Sequence, residues 1–197
     1  MNCTMGSKYS FGGYDWRVLD VKSGKILLLS ENILEKRAYH DSGGNITWGE
    51  CTLRQYLNGE FFNKFNPADK NRIIKKRLSN PDNSWCGTKG GNDTDDEVFV
   101  LNLEEADRYF GNSGDYLNKK RTGYSSEKKQ HGQYLSNYYD KDRVATLNGV
   151  TPWWWLRSPG YYSNNAAIVN GHGVVDVFGY GVNNSDMGVR PALWLTR

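Results

Sequence analysis

The last 45 residues of the chain constrain its fold most, because two apolar segments enclose a polar, glycine-rich one. The enclosing segments are Trp153–Gly160, with the sequence WWWLRSPG, and Gly188–Leu195, with the sequence GVRPALWL. Between them, 161–186 contains small apolar residues at intervals, and side chains in 175–180 alternate between small and polar or aromatic types. A period of two predicts a β-strand with one face buried and the other exposed. The C-terminal region therefore predicts a buried framework around an exposed surface.

The polar and aromatic residues of 161–186 are predicted to contact a ligand. Tyrosine offers contact area at low entropic cost, and Ser, Gly and Asn offer adaptable hydrogen bonds. The predicted contact residues are Tyr161, Tyr162, Asn164, Asn165, Asn170, His172, Asp176, Phe178, Tyr180, Asn183, Asn184 and Ser185.

The composition of 161–186 also indicates that mutation of its codons produced its polar and aromatic residues. The segment lacks Lys, Glu, Gln and Trp, although Lys and Glu are frequent in the whole chain. Its polar and aromatic residues are those that an AAC or AAT codon yields when its two adenines are replaced, and Met187, just beyond, breaks this pattern. Asn, Gly, Ser and Tyr are also common in ordinary loops and edge strands, so a fixed surface remains the alternative.

Composition limits the class of protein. A length of 197 residues favours one domain, 1–197, and a net charge of +3 gives no reason to expect nucleic-acid binding. The sequence contains neither a membrane-length apolar run nor an apolar signal-peptide core in its opening residues. The odd number and wide spacing of Cys3, Cys51 and Cys86 favour neither a disulfide framework nor a zinc site.

Local patterns predict a hairpin and three helical segments. The strands Phe11–Val21 and Lys25–Ser30 flank a Ser-Gly turn. A helix is predicted within Thr47–Phe65, where Thr52 is a plausible N-cap residue and apolar residues have helical spacing. A second helix begins at Pro67, with Asn66 as its cap, and includes Ile73 and Ile74, and a short third one occupies 103–110.

Neither a metal site nor a catalytic site is predicted. The acidic run Asn92–Glu97 could bind calcium but lacks EF-hand spacing, and a solvated turn is the simpler interpretation. His40, His131 and His172 are far apart in sequence and have no accompanying nucleophile motif. We therefore expect no cofactor and no enzymatic activity.

Two residue types in the C-terminal framework, tryptophan and arginine, have predicted roles. At least two of Trp153–Trp155 are expected in the core, and the alternative is an exposed platform for sugars. Arg157 and Arg190 are predicted to be buried or half-buried, bonded to backbone carbonyls or to an acid such as Asp15 or Asp20. Arginine suits this role because its planar group offers five donors.

These motifs resemble those of known proteins. The segment WWWLRSPG, then A-A-x-V, G-x-V-x-V and GVRPALWL, resembles the C-terminus of a bacterial and phage domain family of unassigned function. The resemblance extends to Phe11–Val21, Leu27–Ile33, Thr47–Phe61 and Gly90–Thr94, and so covers nearly the whole chain. The chain also resembles the variable proteins of diversity-generating retroelements, in which adenine-directed mutagenesis rewrites a C-terminal cassette on a C-type lectin-like fold.

The resemblance implies both a fold and a function. The implied fold is α+β of the C-type lectin-like kind, with a small, twisted, mainly antiparallel sheet, two helices and long ordered loops. Residues 153–195 would form the framework-flanked cassette, and its exposed residues would bind a protein or glycan on another cell or host. The protein would act at a virion or bacterial cell surface.

Two other interpretations remain open. A fixed carbohydrate- or cell-wall-binding module of a surface protein is one, and an enzyme of unknown chemistry is the other. Lectin-like enzymes that make formylglycine need cysteines in their C-terminal half, and this chain has none after Cys86.

Overall fold

A computed structural model describes residues 3–111 and 133–197 of the chain. These residues form an α+β fold with mostly antiparallel strands, which confirms the α+β, mainly antiparallel part of the predicted fold class. They contain four short α-helices, where the local patterns predicted three helical segments and the resemblance implied two helices. The strands are β1 Lys8–Phe11, β2 Tyr14–Lys22, β3 Lys25–Ser30, β4 Glu35–Lys36, β5 Ile73–Ile74, β6 Lys76–Leu78, β7 Thr94–Asp96, β8 Val98–Phe99, β9 Tyr134–Leu135, β10 Trp154–Pro159, β11 Asn165–Val169, β12 Val175–Gly181, β13 Gly188–Val189 and β14 Ala192–Thr196. The helices are α1 Thr52–Tyr56, α2 Pro67–Lys70, α3 Leu103–Arg108 and α4 Asp140–Arg143.

The first sheet joins the two ends of the chain. Its strand order is β1-β2-β3-β14-β5, and β8 also pairs with β14. The predicted hairpin is confirmed as β2 and β3, joined by a turn in which Ser23 and Gly24 have φ angles of 50° and 73°. Two consecutive positive φ angles match the right-handed twist of the flanking strands. The C-terminal strand β14 then pairs antiparallel with β3 along Lys25–Leu29.

The second sheet contains the C-terminal cassette. Its strand order is β4-β13-β10-β11-β12-β9, and only the β10–β13 pair is parallel among its described pairs. The four residues 166–169 of β11 are all buried, so this central strand is covered on both faces. Strands β6 and β7 form a separate two-stranded sheet.

The helices begin at local capping signals but are shorter than predicted. In α1 the N-cap is Cys51, whose sulfur accepts from the Arg54 N–H, and Thr52 is the first helical residue. The helix then continues as a π-helical turn over Leu57–Phe61. Helix α2 begins as predicted, after the Asn66 cap. It ends at Lys70 because Ile73–Ile74 pairs with β14 as β5, so the prediction that these isoleucines are helical is wrong.

The buried apolar residues of both sheets form one cluster. Trp16, Trp48, Trp154 and Trp155 are among its largest fully buried side chains. The expectation that at least two of the three consecutive tryptophans lie in the core is therefore confirmed. No described helix has the length and apolar character needed to cross a membrane.

Candidate functional site

Arg157 anchors β10 to the neighbouring loops and to α3. Its buried guanidinium donates to the Val100 carbonyl at 2.9 Å and to Glu105 Oε1 at 2.9 Å. Its Nε also donates to the Asn80 side-chain oxygen at 3.2 Å. Burial and bonding to a carbonyl and an acid were both predicted, but the acid is Glu105 and not one of the two aspartates named as examples.

Arg190 anchors the other end of the cassette. Its guanidinium is fully buried and donates to the carbonyls of Ser30 at 2.9 Å, Glu31 at 3.1 Å and Arg143 at 3.2 Å. It also lies over the Trp154 ring, 5.2 Å from its centroid. Burial lowers the pKa of this guanidinium, so the charge is maintained against a desolvation cost. The framework role predicted for Arg190 is confirmed by this geometry.

A loop outside the cassette holds the strands on which the predicted contacts lie. The buried Asn83 side-chain nitrogen donates to the Pro159 carbonyl at 2.9 Å and to the Val177 carbonyl at 2.8 Å. The Thr88 hydroxyl donates to the Tyr161 carbonyl at 2.7 Å. Both donors satisfy backbone acceptors, which would otherwise be costly to bury. This loop therefore helps to set the path of β10 and β12.

A bulge in β12 breaks the alternation that the sequence predicted. Ile168 pairs with Asp176 and Ala166 with Tyr180. Between these two pairs β12 advances by four residues, whereas β11 advances by two. Gly179 accommodates the bulge with a φ of 66°, and a Cβ there would lie 1.9 Å from the Ala166 carbonyl oxygen. Only glycine adopts such a backbone without strain.

Asp176 stabilises this bulge from inside the protein. Its Oδ1 accepts from the Phe178 N–H at 2.9 Å and the Gly179 N–H at 3.2 Å, and both carboxylate oxygens accept from the Gln133 amide. Burial raises the pKa of this carboxyl group, opposed by those hydrogen bonds. Asp176 is buried, so it does not lie on the exposed surface where a ligand contact was predicted.

The other predicted contact residues are exposed to different degrees. The exposed ones are Tyr162, Asn164, His172, Tyr180, Asn183 and Ser185. The half-buried ones are Tyr161, Asn165, Asn170, Phe178 and Asn184.

Three large aromatic side chains of the cassette are exposed. Tyr162 is 63% exposed, Tyr180 46% and Trp153 44%. The Trp153 and Tyr180 rings meet edge to face at 5.9 Å. Tyr161 contacts both Tyr162 at 4.7 Å and Phe178 at 4.9 Å between ring centroids. We call these five residues the aromatic surface.

Trp153 was missing from the predicted contact residues. Its membership in the apolar run of three tryptophans favoured the core, and the two that follow it are fully buried. Trp153 is exposed because it lies directly before β10, beyond the paired strand, which the sequence alone does not reveal. Of the three tryptophans only Trp153 is exposed, so the alternative of an exposed platform for sugars stays a prediction for this residue alone.

Several asparagines of the predicted set shape turns. Asn170 Oδ1 accepts from the N–H groups of His172 at 2.9 Å and Val174 at 3.1 Å, which closes the turn between β11 and β12. Asn184 Oδ1 accepts from the Asp186 N–H at 2.8 Å. Asn170 and His172 therefore lie at the opposite end of β11 from Asn165, and the predicted residues do not form one continuous patch along that strand.

The acidic run 92–97 is paired with cations. Asp96 is fully buried and accepts from Arg54 Nε at 2.6 Å and from Trp48 Nε1 at 2.8 Å. Asp95 lies 3.1 Å from Arg77. In residues 3–111 and 133–197, no group of three or more His, Cys, Asp or Glu side chains could hold a metal ion.

The two described histidines lie in different surroundings. His40 is half-buried, His172 lies in the exposed β11–β12 turn, and His131 is outside the described residues. Burial raises the pKa of the Cys51 thiol to about 12, so it remains a thiol at neutral pH. Cys3, Cys51 and Cys86, which all lie within the described residues, form no disulfide bond.

A family model described as a domain of unknown function, DUF6273, matches residues 23–197. The chain belongs to this family. The match confirms the resemblance to a domain family of unassigned function, and it contains the whole C-terminal cassette of this DUF6273 domain. No curated protein and no solved structure matches the chain.

Proposed function

We propose that this DUF6273 domain is a non-enzymatic ligand-binding protein with a diversified surface on a C-type lectin-like scaffold. Its ligand would be a protein or glycan on another cell or host, and it would act at a virion or bacterial cell surface. The proposal combines the resemblance to retroelement variable proteins with the arrangement of the C-terminal cassette.

The aromatic surface is the observation that carries the proposal. Exposed aromatic rings are costly to leave in water and are enriched among the residues that dominate binding energy. Here three of them, Trp153, Tyr162 and Tyr180, are each more than 40% exposed although they flank the fully buried residues of β10 and β11. A rigid support beneath exposed aromatic side chains reduces the entropy lost on binding.

The fold supports the lectin-like part of the proposal. A mainly antiparallel α+β arrangement is part of what that resemblance implies. Two buried arginines, Arg157 and Arg190, hold the cassette in place, and their hydrogen-bond partners include residues outside it. Substitution of the exposed residues between them would leave those bonds in place.

The DNA that flanks the gene gives the direct test of diversification. We expect a near-repeat of the codons for Trp153–Arg190, differing almost only at adenines, close to a reverse transcriptase gene. Asp176 supplies an internal check, because a buried carboxylate that closes the bulge should not be a mutagenised codon. Flanking DNA without such a repeat would contradict diversification and favour a fixed module.

Binding to a panel of bacterial cells and to a glycan array tests the surface itself. We expect a Tyr162→Ser/Tyr180→Ser variant to lose binding by at least tenfold, since central aromatic residues contribute about 2 kcal/mol or more each. Lys89→Ala, a change at an exposed lysine of the loop 79–91, is the matched control and should bind normally. Equal binding by both variants would contradict the assignment of the surface.

A fixed carbohydrate-binding module is the second candidate. It is favoured by Trp153, which is exposed but cannot arise from an asparagine codon by adenine replacement. Glycan binding that depends on Trp153 and is unaffected by changes at Tyr162 and Tyr180 would support this candidate over the first.

A further inference from the structure

A cavity of about 450 Å³ lies on the first sheet, and Asp20, Ile74 and Trp194 of its floor belong to one row of paired residues. Asp20 pairs with Leu27, Leu27 with Trp194, and Trp194 with Ile74, across four neighbouring strands. Directly paired residues of antiparallel strands share a face, and successive residues alternate. The row therefore lies on the face opposite the fully buried Leu195. The half-buried Trp194 ring is the largest side chain of this floor.

Positive charges surround the cavity. Lys22 and Lys25 flank the β2–β3 turn, Lys76 begins β6, and Arg108 ends α3. Asp20 is the only acid among the lining residues. Within the described parts of the chain, none of these four cations has an ion pair, whereas Lys75, the neighbour of Lys76, pairs with Glu97 at 3.1 Å. Unpaired cations around one concave site attract an anion.

Tyr109 adds a neutral donor to this charged wall. Burial, together with the nearby carboxylates of Glu105 and Asp20, raises the pKa of its phenol to about 12. The hydroxyl therefore keeps its proton at neutral pH and adds no negative charge. The cavity thus offers four cations, a phenolic O–H and the edge or face of an indole.

We propose that this cavity binds a small phosphorylated ligand with a planar ring, of the nucleoside monophosphate class. The phosphate would lie at the lysines and Arg108, and the ring would contact Trp194. A phosphate monoester carries a charge of about −1.5 to −2 at pH 7, which suits the excess of cations better than a single carboxylate does. A cavity of 450 Å³ is within the usual range of about 300–1,000 Å³ for small-molecule sites.

The cavity shares no lining residue with the aromatic surface. Trp194, Lys22 and Lys25 are on strands of the first sheet, whereas Tyr180 and the buried β11 belong to the second. The inference therefore does not depend on the proposed function, and each can fail while the other stands.

Isothermal titration calorimetry with adenosine monophosphate, ribose 5-phosphate and adenosine tests both halves of the proposed ligand. We expect adenosine monophosphate to bind at least tenfold more tightly than either fragment, because stacking of a base on an aromatic side chain is worth about 1–3 kcal/mol. Its affinity should fall as salt concentration rises, as expected for a phosphate among exposed cations.

Variants locate the site. Lys22→Ala/Lys25→Ala removes two exposed charges beside a solvent-facing turn, and we expect it to weaken binding by about tenfold or more while the far-UV circular dichroism stays unchanged. Lys75→Ala removes the lysine directly before β6, which lines a different cavity, and should change affinity by less than about twofold.

Each other result would overturn the proposal. Adenosine that binds as tightly as its monophosphate would show that the cations do not select the ligand. Ribose 5-phosphate that binds equally well would show that Trp194 plays no part. Absence of binding, or equal weakening by the Lys75 change, would remove the cavity from consideration.

Discussion

Replacement of Arg190 by alanine tests whether buried arginines hold the C-terminal cassette. The change removes donors from three carbonyls, although the Arg143 carbonyl keeps the Trp154 Nε1–H at 3.2 Å. The carbonyls of Ser30 and Glu31 each lose a charged donor, which costs about 1–3 kcal/mol apiece. Lost packing against Trp154 adds about 1–2 kcal/mol. A total of about 5 kcal/mol would consume much of the ~5–15 kcal/mol stability of a typical domain.

Urea denaturation followed by tryptophan fluorescence measures this loss as a change in the free energy of unfolding. Arg108→Ala is the matched control, because Arg108 is an exposed arginine that forms no ion pair within the described residues, and its loss should cost less than about 0.5 kcal/mol. Arg190→Lys should fall between the two, since it keeps a charge but not the planar group. An Arg190→Ala protein within about 1 kcal/mol of the wild type would refute the framework role.

Three further predictions concern the cassette. Tyr162→Ala and Tyr180→Ala should each change the free energy of unfolding by less than about 1 kcal/mol, because both side chains are exposed; a larger loss in urea denaturation would make them core residues. Gly179→Ala should lower the free energy of unfolding by about 3 kcal/mol because of the positive φ and a clash with the backbone. Gly24→Ala, which has a similar φ but open space, should lower it by only about 1 kcal/mol, and equal losses would contradict the close approach at Gly179. Burial raises the pKa of Asp176, so the folded state holds its proton more tightly, and this residue's contribution to stability falls as pH rises from about 4. Asp176→Asn should remove this pH dependence, and parallel pH profiles of stability for wild type and variant would refute the prediction.

The elements that the sequence predicted well depend on local signals. The Ser23-Gly24 turn, the Asn66 cap before Pro67 and the short helix at Leu103 are each determined within a few residues. The errors arise where distant segments compete. Ile73–Ile74 would continue α2 on local grounds, but pairing with Trp194 and Leu195 recruits it into the first sheet. No local pattern indicates a partner strand that lies about 120 residues further along the chain.

The candidate site was predictable as a segment but not residue by residue. Alternation along β12 predicted that Asp176, Phe178 and Tyr180 share one exposed face, which would be correct for a regular strand. The bulge at Gly179 changes the register, and Asp176 turns inward to bond the two N–H groups that the bulge leaves free. Glycine within the strand was the available sign of a bulge.

A diversified surface requires that the residues which hold the backbone in place differ from those which contact the ligand. In this chain many of the bonds that shape the cassette use buried side chains: Asn83 and Arg143 from outside it, Arg157 and Arg190 near its borders, and Asp176 within it. The half-buried Asn170 and Asn184 close turns in addition. The rings of the aromatic surface meet in two groups, Trp153 with Tyr180, and Tyr161 with Tyr162 and Phe178. A mutation at an exposed position therefore changes what the surface can bind, whereas a mutation at a buried one changes whether the surface forms. If the surface is diversified, mutagenised codons should coincide with the first group and spare the second, Asp176 included.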